Sequence, residues 1–277
     1  RVESRISLPM ESGCWPAFWM LPEDSDIYNG WAASGEIDIM EGWGDQSNQV
    51  CGTIHYGSQW PNSVYKGKNH TFAEDTNVGA FHTYAIEWEP GKISWYFDDV
   101  LVNVEETWYS KNNANASEYT FDAPFDVPFH ILLNVAVGGN WDGGDVSQGD
   151  YSGEGKSAMT VDYVRAYSKD DVDYEKETAK AVSTVDQESY DKYVAPLVGD
   201  DYHGYDFIGD GQFESLRTVG SVDPENNAWQ FFVGDFGGQA VAKKVEKEGK
   251  PVASVEIEKS GSQAYALQLI KHLPLIN

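Results

Sequence analysis

Gly35-Glu36-Ile37-Asp38-Ile39-Met40-Glu41-Gly42 crowds three carboxylates into six residues, separated only by apolar side chains and bracketed by glycines. The β-branched Ile37 and Ile39, with the alternation from Glu36 to Ile39, predict a strand. Side chains alternate across a strand, so Glu36, Asp38 and Met40 would share one face and Glu41 would take the other. One extra residue at Ile39-Met40, a β-bulge, returns Glu41 to the face of Glu36 and Asp38. Glu36 and Glu41 then stand about four strand steps apart, roughly 13 Å at ~3.3 Å each.

Like charges two residues apart on one strand face repel, so a merely solvated acidic face leaves the pattern unexplained. Such crowding suits chemistry in which one carboxylate stays ionised to attack while another stays protonated to donate. Two glutamates leaning toward each other across Asp38 can bring their carboxyls to about 5–5.5 Å, the separation used in glycoside hydrolysis with retention.

Outward from this stretch the chain is cut into short runs by Gly, Pro and Asn turns. That punctuation predicts an all-β sandwich, a jelly roll whose concave sheet carries a cleft. Upstream, Glu3 to Leu8 and Cys14 to Leu21 read as strands. In the second, Trp15, Ala17 and Trp19 share a face and Phe18 and Met20 take the other. The tryptophan face either lines a cleft, where its rings stack on sugar units, or packs into the core. Downstream, Val50 to Tyr56 is the next strand, with Cys51, Thr53 and His55 on one face. His55 has two readings: a hydrogen bond to substrate or acid/base, or a structural histidine.

Gly57 to Ala80 reads as a polar loop carrying Trp60 and His70. Phe81 to Glu89 and Lys92 to Phe97 pair through Glu89-Pro90-Gly91-Lys92, and Asp98-Asp99 turns the chain into Val100 to Val104. These strands lack a carboxylate cluster and form the sheet behind the cleft, with His82 in a structural role. Residues 105–127 read as another polar loop. Phe129 to Val137 is apolar enough to be buried on both faces, and Met159 to Tyr167 alternates as a last strand.

At 277 residues the chain allows one or two domains, and 41% hydrophobic residues suffice for a real core. No apolar run reaches the ~18 residues that span a bilayer. The net charge of −26 argues against nucleic acid and anionic membrane surfaces as partners. It favours a neutral substrate and a protein living in salt or outside the cell. Cys14 and Cys51, the only cysteines, fall on strands flanking the carboxylate strand, and both a disulfide and two free thiols stay open.

Glu36-Ile37-Asp38-Ile39-Met40-Glu41, preceded by Trp15-Pro16-Ala17-Phe18-Trp19-Met20-Leu21-Pro22 and followed by Gly52-Thr53-Ile54-His55-Tyr56, resembles glycoside hydrolase family 16. The bulged form resembles its laminarinase-like members, endo-acting β-1,3-glucanases with a concanavalin A-like jelly roll. The resemblance implies that Glu36 is the nucleophile, Asp38 its electrostatic helper and Glu41 the acid/base, with no cofactor for catalysis. It implies a monomer acting on β-glucan polysaccharide, secreted or at the cell surface. Trp31, five residues before Glu36, becomes a candidate for the first glycone subsite. Trp141, after Gly138-Gly139-Asn140, becomes a second stacking candidate beside Trp15 and Trp19, and His55 a further substrate contact. Asp162 matches a residue the family uses near a structural calcium. Against the family pattern the chain lacks several N-terminal strands, so sheet edges are expected to be left unpaired.

The composition shifts after residue 168. Residues 169–205 read as a charged linker. From 206 to 277 the β pattern resumes and is similar to half of a carbohydrate-binding module of the family 4 or 9 type, with Tyr265 and Gln268 as candidate sugar contacts. The expected organisation is a catalytic domain over 1–168, the linker, and a second, partial β-sandwich over 206–277. Two alternatives stand beside β-1,3-glucan hydrolysis. One is a non-hydrolytic β-glucan-recognition protein, which typically lacks one or both glutamates. The other is a related retaining galactanase or mixed-linkage glucanase.

Overall fold

The computed structural model describes residues 1–111, 122–139, 141, 146–151, 157–168, 213, 216–219, 228–233, 239–247, 250–259 and 267–275. Its strands are β1 (Val2–Ser7), β2 (Cys14–Pro22), β3 (Glu36–Gly42), β4 (Gln49–Ser58), β5 (Ser63–Thr71), β6 (His82–Glu89), β7 (Lys92–Phe97) and β8 (Val100–Glu105). There follow β9 (Ser110–Lys111), β10 (Phe129–Val137), β11 (Thr160–Ala166), β12 (Arg217–Val219), β13 (Gln230–Val233), β14 (Gln239–Lys247), β15 (Lys250–Lys259) and β16 (Leu267–Leu275). They form two sheets, one ordered β14-β15-β11-β1-β6-β7-β8 and the other β12-β13-β16-β10-β2-β3-β4-β5, with β9 beside β4. The fold is all-β, a two-sheet jelly roll.

The sequence alternation explains which faces meet. On β2, Phe18 and Met20 are fully buried while Trp15 and Trp19 on the other face are only partly so. The inward faces of the two sheets build one core, including Ile6, Phe18, Ile37, Ile54, Tyr84, Ile86, Trp95 and Phe129. Trp95 on β7 reaches across it, and its indole N–H donates to the backbone carbonyl of Asp38, 2.9 Å away. Gly52 admits the ring, since a Cβ there would stand 2.3 Å from Trp95 Cδ1. A ring of this size in a core contributes about 3–5 kcal/mol. The back sheet thereby grips the carboxylate strand from beneath.

Asp98 and Asp99 turn β7 into β8 with φ of 48° and 61°. Two successive positive φ values suit the twist of a tight hairpin. His82 is structural: its Nδ1 lies 2.6 Å from Asp98 Oδ2 and its ring stacks on Phe72.

The structure differs from the sequence expectations in three places. Residues 63–71, expected in a polar loop, are strand β5, an edge strand whose polar side chains are mostly exposed on both faces. An edge strand needs no apolar face, so composition hides it. Within 105–127, residues 122–127 are buried rather than exposed, with Phe125 fully so against Phe129 and Trp108. Thirdly, the described strands after residue 216 continue the two sheets already in place. β16 pairs antiparallel with β10, and β15 pairs antiparallel with β11. Phe213, Trp229, Phe231 and Ala253 are buried in the same core cluster as Ile37, Ile54 and Phe129. The expectation of unpaired edges is therefore not met at β10 or β11, because an exposed row of N–H and C=O groups accepts any strand of matching register. The expected linker over 169–205 and Tyr265 lie outside the described residues, as does the Gln268 side chain.

Candidate active site

Register sets the site. β3 pairs with β4 as Glu36↔His55, Ile37↔Ile54 and Asp38↔Thr53, then jumps to Glu41↔Cys51. Three steps on β3 therefore face two on β4, and the surplus residue falls at Ile39-Met40. On the other side Trp19↔Asp38 is followed by Phe18↔Met40 and Ala17↔Glu41. This is the bulge that the sequence requires for one shared face. Ile37, Ile39 and Met40 are fully buried, which holds the bulge closed against the core.

Each glutamate has its own indole donor. Trp31 Nε1 donates to Glu36 Oε2 over 2.7 Å, and Trp15 Nε1 donates to Glu41 Oε1 over 3.0 Å. His55 Nε2 lies 3.4 Å from Asp38 Oδ2 and 3.8 Å from Glu36 Oε1. Among the described residues Asp38 Oδ2 has no hydrogen bond, and the imidazole stands beside it. Cys51 places its thiol 4.0 Å from Glu41 Oε2 and accepts from Thr53 Oγ1 at 3.9 Å. Both cysteines are buried, and no disulfide joins them.

Burial dominates the electrostatics. Asp38 is 2% exposed and Glu41 8%. Desolvation raises Asp38 to about 8, opposed by its hydrogen bond with Glu36. Desolvation and the charge of Asp38 raise Glu41 to about 8, opposed by Trp15 and His55. Glu36 also rises well above its ordinary value, through desolvation and then Asp38, with His55 and Trp31 pulling it back. Burial, followed by the charges of Glu41 and Asp38, pushes the Cys51 thiol up as well, so it stays protonated. Carboxyls this close cannot all ionise, so the cluster retains protons near neutral pH.

The other expected residues fall in different places. Trp141 is exposed and packs against Trp15 at 5.1 Å and Trp43 at 4.8 Å, so it joins the Glu41 end. Trp19 is half-buried on the carboxylate face and donates to Asn134 Oδ1. Asp162 lies on β11 in the opposite sheet, with its Oδ2 2.6 Å from Arg5 Nη1. The guanidinium of Arg5 is thus its ion-pair partner, and among the described residues no cluster of three His, Cys, Asp or Glu side chains includes Asp162. Glu36, Asp38 and His55, with ligand atoms within 4.8 Å of one another, are the grouping that meets that test. The sequence reading missed Trp43, Tyr65 and the role of Cys51. For Cys51 the signal was present, in its parity with His55 once β4 is paired to a bulged β3.

Comparison with known proteins gives a consistent result. The model of glycosyl hydrolases family 16 matches residues 1–165. The chain is 43% identical over 175 residues to glucan endo-1,3-beta-glucosidase A1 of Niallia circulans, covering 61% of this chain and 24% of that protein. It is 38% identical over 178 residues to the glucan endo-1,3-beta-glucosidase of Cryptopygus antarcticus, covering 61% of this chain and 62% of that one. Among solved structures, the laminarinase from Rhodothermus marinus matches at 34% identity with a TM-score of 0.45, over 58% of this chain and 61% of that one. The chain thus spans less than two thirds of the length of each of these relatives. Since the match takes in β1 to β10 and nearly all of β11, with the carboxylate strand at its centre, the chain belongs to glycosyl hydrolases family 16.

Proposed function

We propose that the chain hydrolyses β-1,3-glucan of the laminarin type, as an endo-acting glycosidase that retains anomeric configuration. One observation carries this reading: the bulge at Ile39-Met40 that sets Glu36, Asp38 and Glu41 on one face between two tryptophan donors. Glu36 attacks the anomeric carbon while Glu41, still protonated, donates to the leaving oxygen. Glu41 then takes a proton from water, which releases the glycosyl-enzyme. Asp38 lies between the two glutamates, where its hydrogen bond with Glu36 holds the nucleophile in position, and the charge of His55 favours the ionised form of Glu36. Carboxylates supply nucleophile, acid and base, so this chemistry asks for no cofactor.

The homology to glucan endo-1,3-beta-glucosidases supports the substrate class. Among the described residues no helix is long and apolar enough to cross a membrane. A charge of −26 with an aromatic, uncharged-ligand cleft suits action on a neutral polysaccharide outside the cell, by a monomer. The test incubates the protein with laminarin, mixed-linkage glucan and agarose and follows the first product by proton NMR. Fastest release from laminarin with a β-configured reducing end is expected. An α-configured first product removes the double displacement, and faster release from agarose moves the substrate to a galactan. Binding of laminarin without any release makes the chain a recognition protein.

A further inference from the structure

We infer that Tyr65, on edge strand β5, is a sugar-stacking platform that extends the cleft beyond Trp31 and binds a further glucosyl unit of a β-glucan chain. The placement follows from register. Glu36 pairs with His55, and His55 pairs with Tyr65, so all three side chains share the catalytic face. The rings form a row: Trp31 to His55 is 5.9 Å between centroids at 38°, and His55 to Tyr65 is 5.8 Å at 34°. The row begins at the indole that holds Glu36 and runs outward across the sheet.

Tyr65 is 72% exposed, although a phenol ring on a sheet would ordinarily be covered. Gly67 is its neighbour two residues along β5 on that face. Gly67 has no side chain, and a Cβ there would meet Thr53 Oγ1 at 2.5 Å, so the floor beside Tyr65 is kept low. The loop before β5 carries Trp60, also exposed, and its backbone N–H donates to the carbonyl of Trp31. That bond ties the start of β5 to the Trp31 end of the site. An aromatic face continuous with a carboxylate cluster, uncharged and open to water, fits the apolar C–H face of a pyranose ring. It does not fit an anionic ligand, since the cluster beside it is acidic.

This inference rests on the glucan-hydrolase reading and deepens it by adding a binding position. The test compares wild type, Tyr65→Ala and Tyr65→Phe on defined β-1,3-gluco-oligosaccharides, from the shortest that is cleaved up to the hexasaccharide. Tyr65→Ala is expected to lower kcat/KM on the hexasaccharide about threefold to tenfold, chiefly through KM. It should leave the shortest substrate within about twofold, and Tyr65→Phe should behave as wild type. An unchanged hexasaccharide rate overturns the proposal. So does an equal loss on short and long substrates, which would mean that Tyr65 only props His55. If wild type cleaves no β-1,3-glucan, the hydrolase reading has failed. Calorimetric binding of the hexasaccharide to wild type and Tyr65→Ala then still decides the platform, with a threefold to tenfold weaker Kd expected for the variant and equal Kd values overturning it.

Discussion

The two ends of β3 carry the same functional group in different company. At the Glu36 end a half-exposed indole donates to the carboxylate and an imidazole stands 3.8 Å away, open to the ring row toward Tyr65. At the Glu41 end an indole also donates, but the second neighbour is the Cys51 thiol, which burial keeps protonated. Both ends therefore offer an N–H, and the contrast lies in the second partner. The imidazole pulls Glu36 down and, less directly, Glu41 as well, whereas the thiol lies against Glu41 alone. On the proposed mechanism these two settings carry the attacker and the donor.

Azide offers the severest way to break that contrast. Glu36→Ala and Glu41→Ala should each reduce hydrolysis of laminarin on the order of 10³-fold. On an activated aryl β-glucoside with added azide the two variants should part. In Glu36→Ala the azide occupies the vacated side and attacks the substrate directly, giving an α-glycosyl azide. In Glu41→Ala the glycosyl-enzyme still forms and azide displaces it, giving the β anomer. NMR of the two products reads the assignment, and identical anomers would erase the distinction between the ends.

Much of this site was legible before any coordinates. The bulge follows from one break in an alternating strand, because only a surplus residue can reunite three carboxylates on a face. Trp31 and Trp15 were legible as neighbours of the cluster, although their N–H bonds to Glu36 and Glu41 depend on rotamers that sequence does not encode. The outer part was not legible. β5 is polar on both faces, so Ser63 to Thr71 carries no period, and Tyr65 looked like a loop residue until its pairing with His55 gave it a face. The C-terminal strands were recognisable as strands from their alternation, but no local pattern names a partner. Their pairing with β10 and β11 is a long-range choice made by open edges.

The burial that holds a proton at the Glu41 end also carries a stability cost. Glu41 moves from an ordinary value of 4.5 to about 8 in the folded chain. Between those values the unfolded chain has already released its proton while the folded chain still binds it. Stability therefore falls as pH rises through that window and is flat below it. Glu41→Gln removes the titration and keeps an oxygen for Trp15. The variant should match wild type near pH 4 and melt higher at pH 8, by on the order of 5 °C. Thermal melts across that range check the sign. A variant that gains nothing on the alkaline side would mean Glu41 is not held protonated by the fold.

The smallest effect separates the two indoles. An N–H donated to a carboxylate favours its ionised form, and both tryptophans lower the glutamate they touch. Trp31→Phe and Trp15→Phe keep an aromatic ring and remove the N–H donor. Losing the donor at Glu36 makes the nucleophile harder to ionise, so the acidic limb of the kcat/KM profile should move to higher pH and the active range should narrow. Losing the donor at Glu41 makes the acid harder to deprotonate, so the alkaline limb should move to higher pH and the range should widen. Each shift is expected on the order of half to one pH unit, the value of a hydrogen bond to a charged group shared with the remaining neighbours. Both variants will lose some rate, yet the limbs report protonation whatever the height of the plateau. Opposite changes in width are the signature of two ends with opposite tasks. Limbs that shift together, or the same limb moving in both variants, would show that Glu36 and Glu41 titrate as one undivided cluster, and that the contrast between them lies in substrate geometry instead.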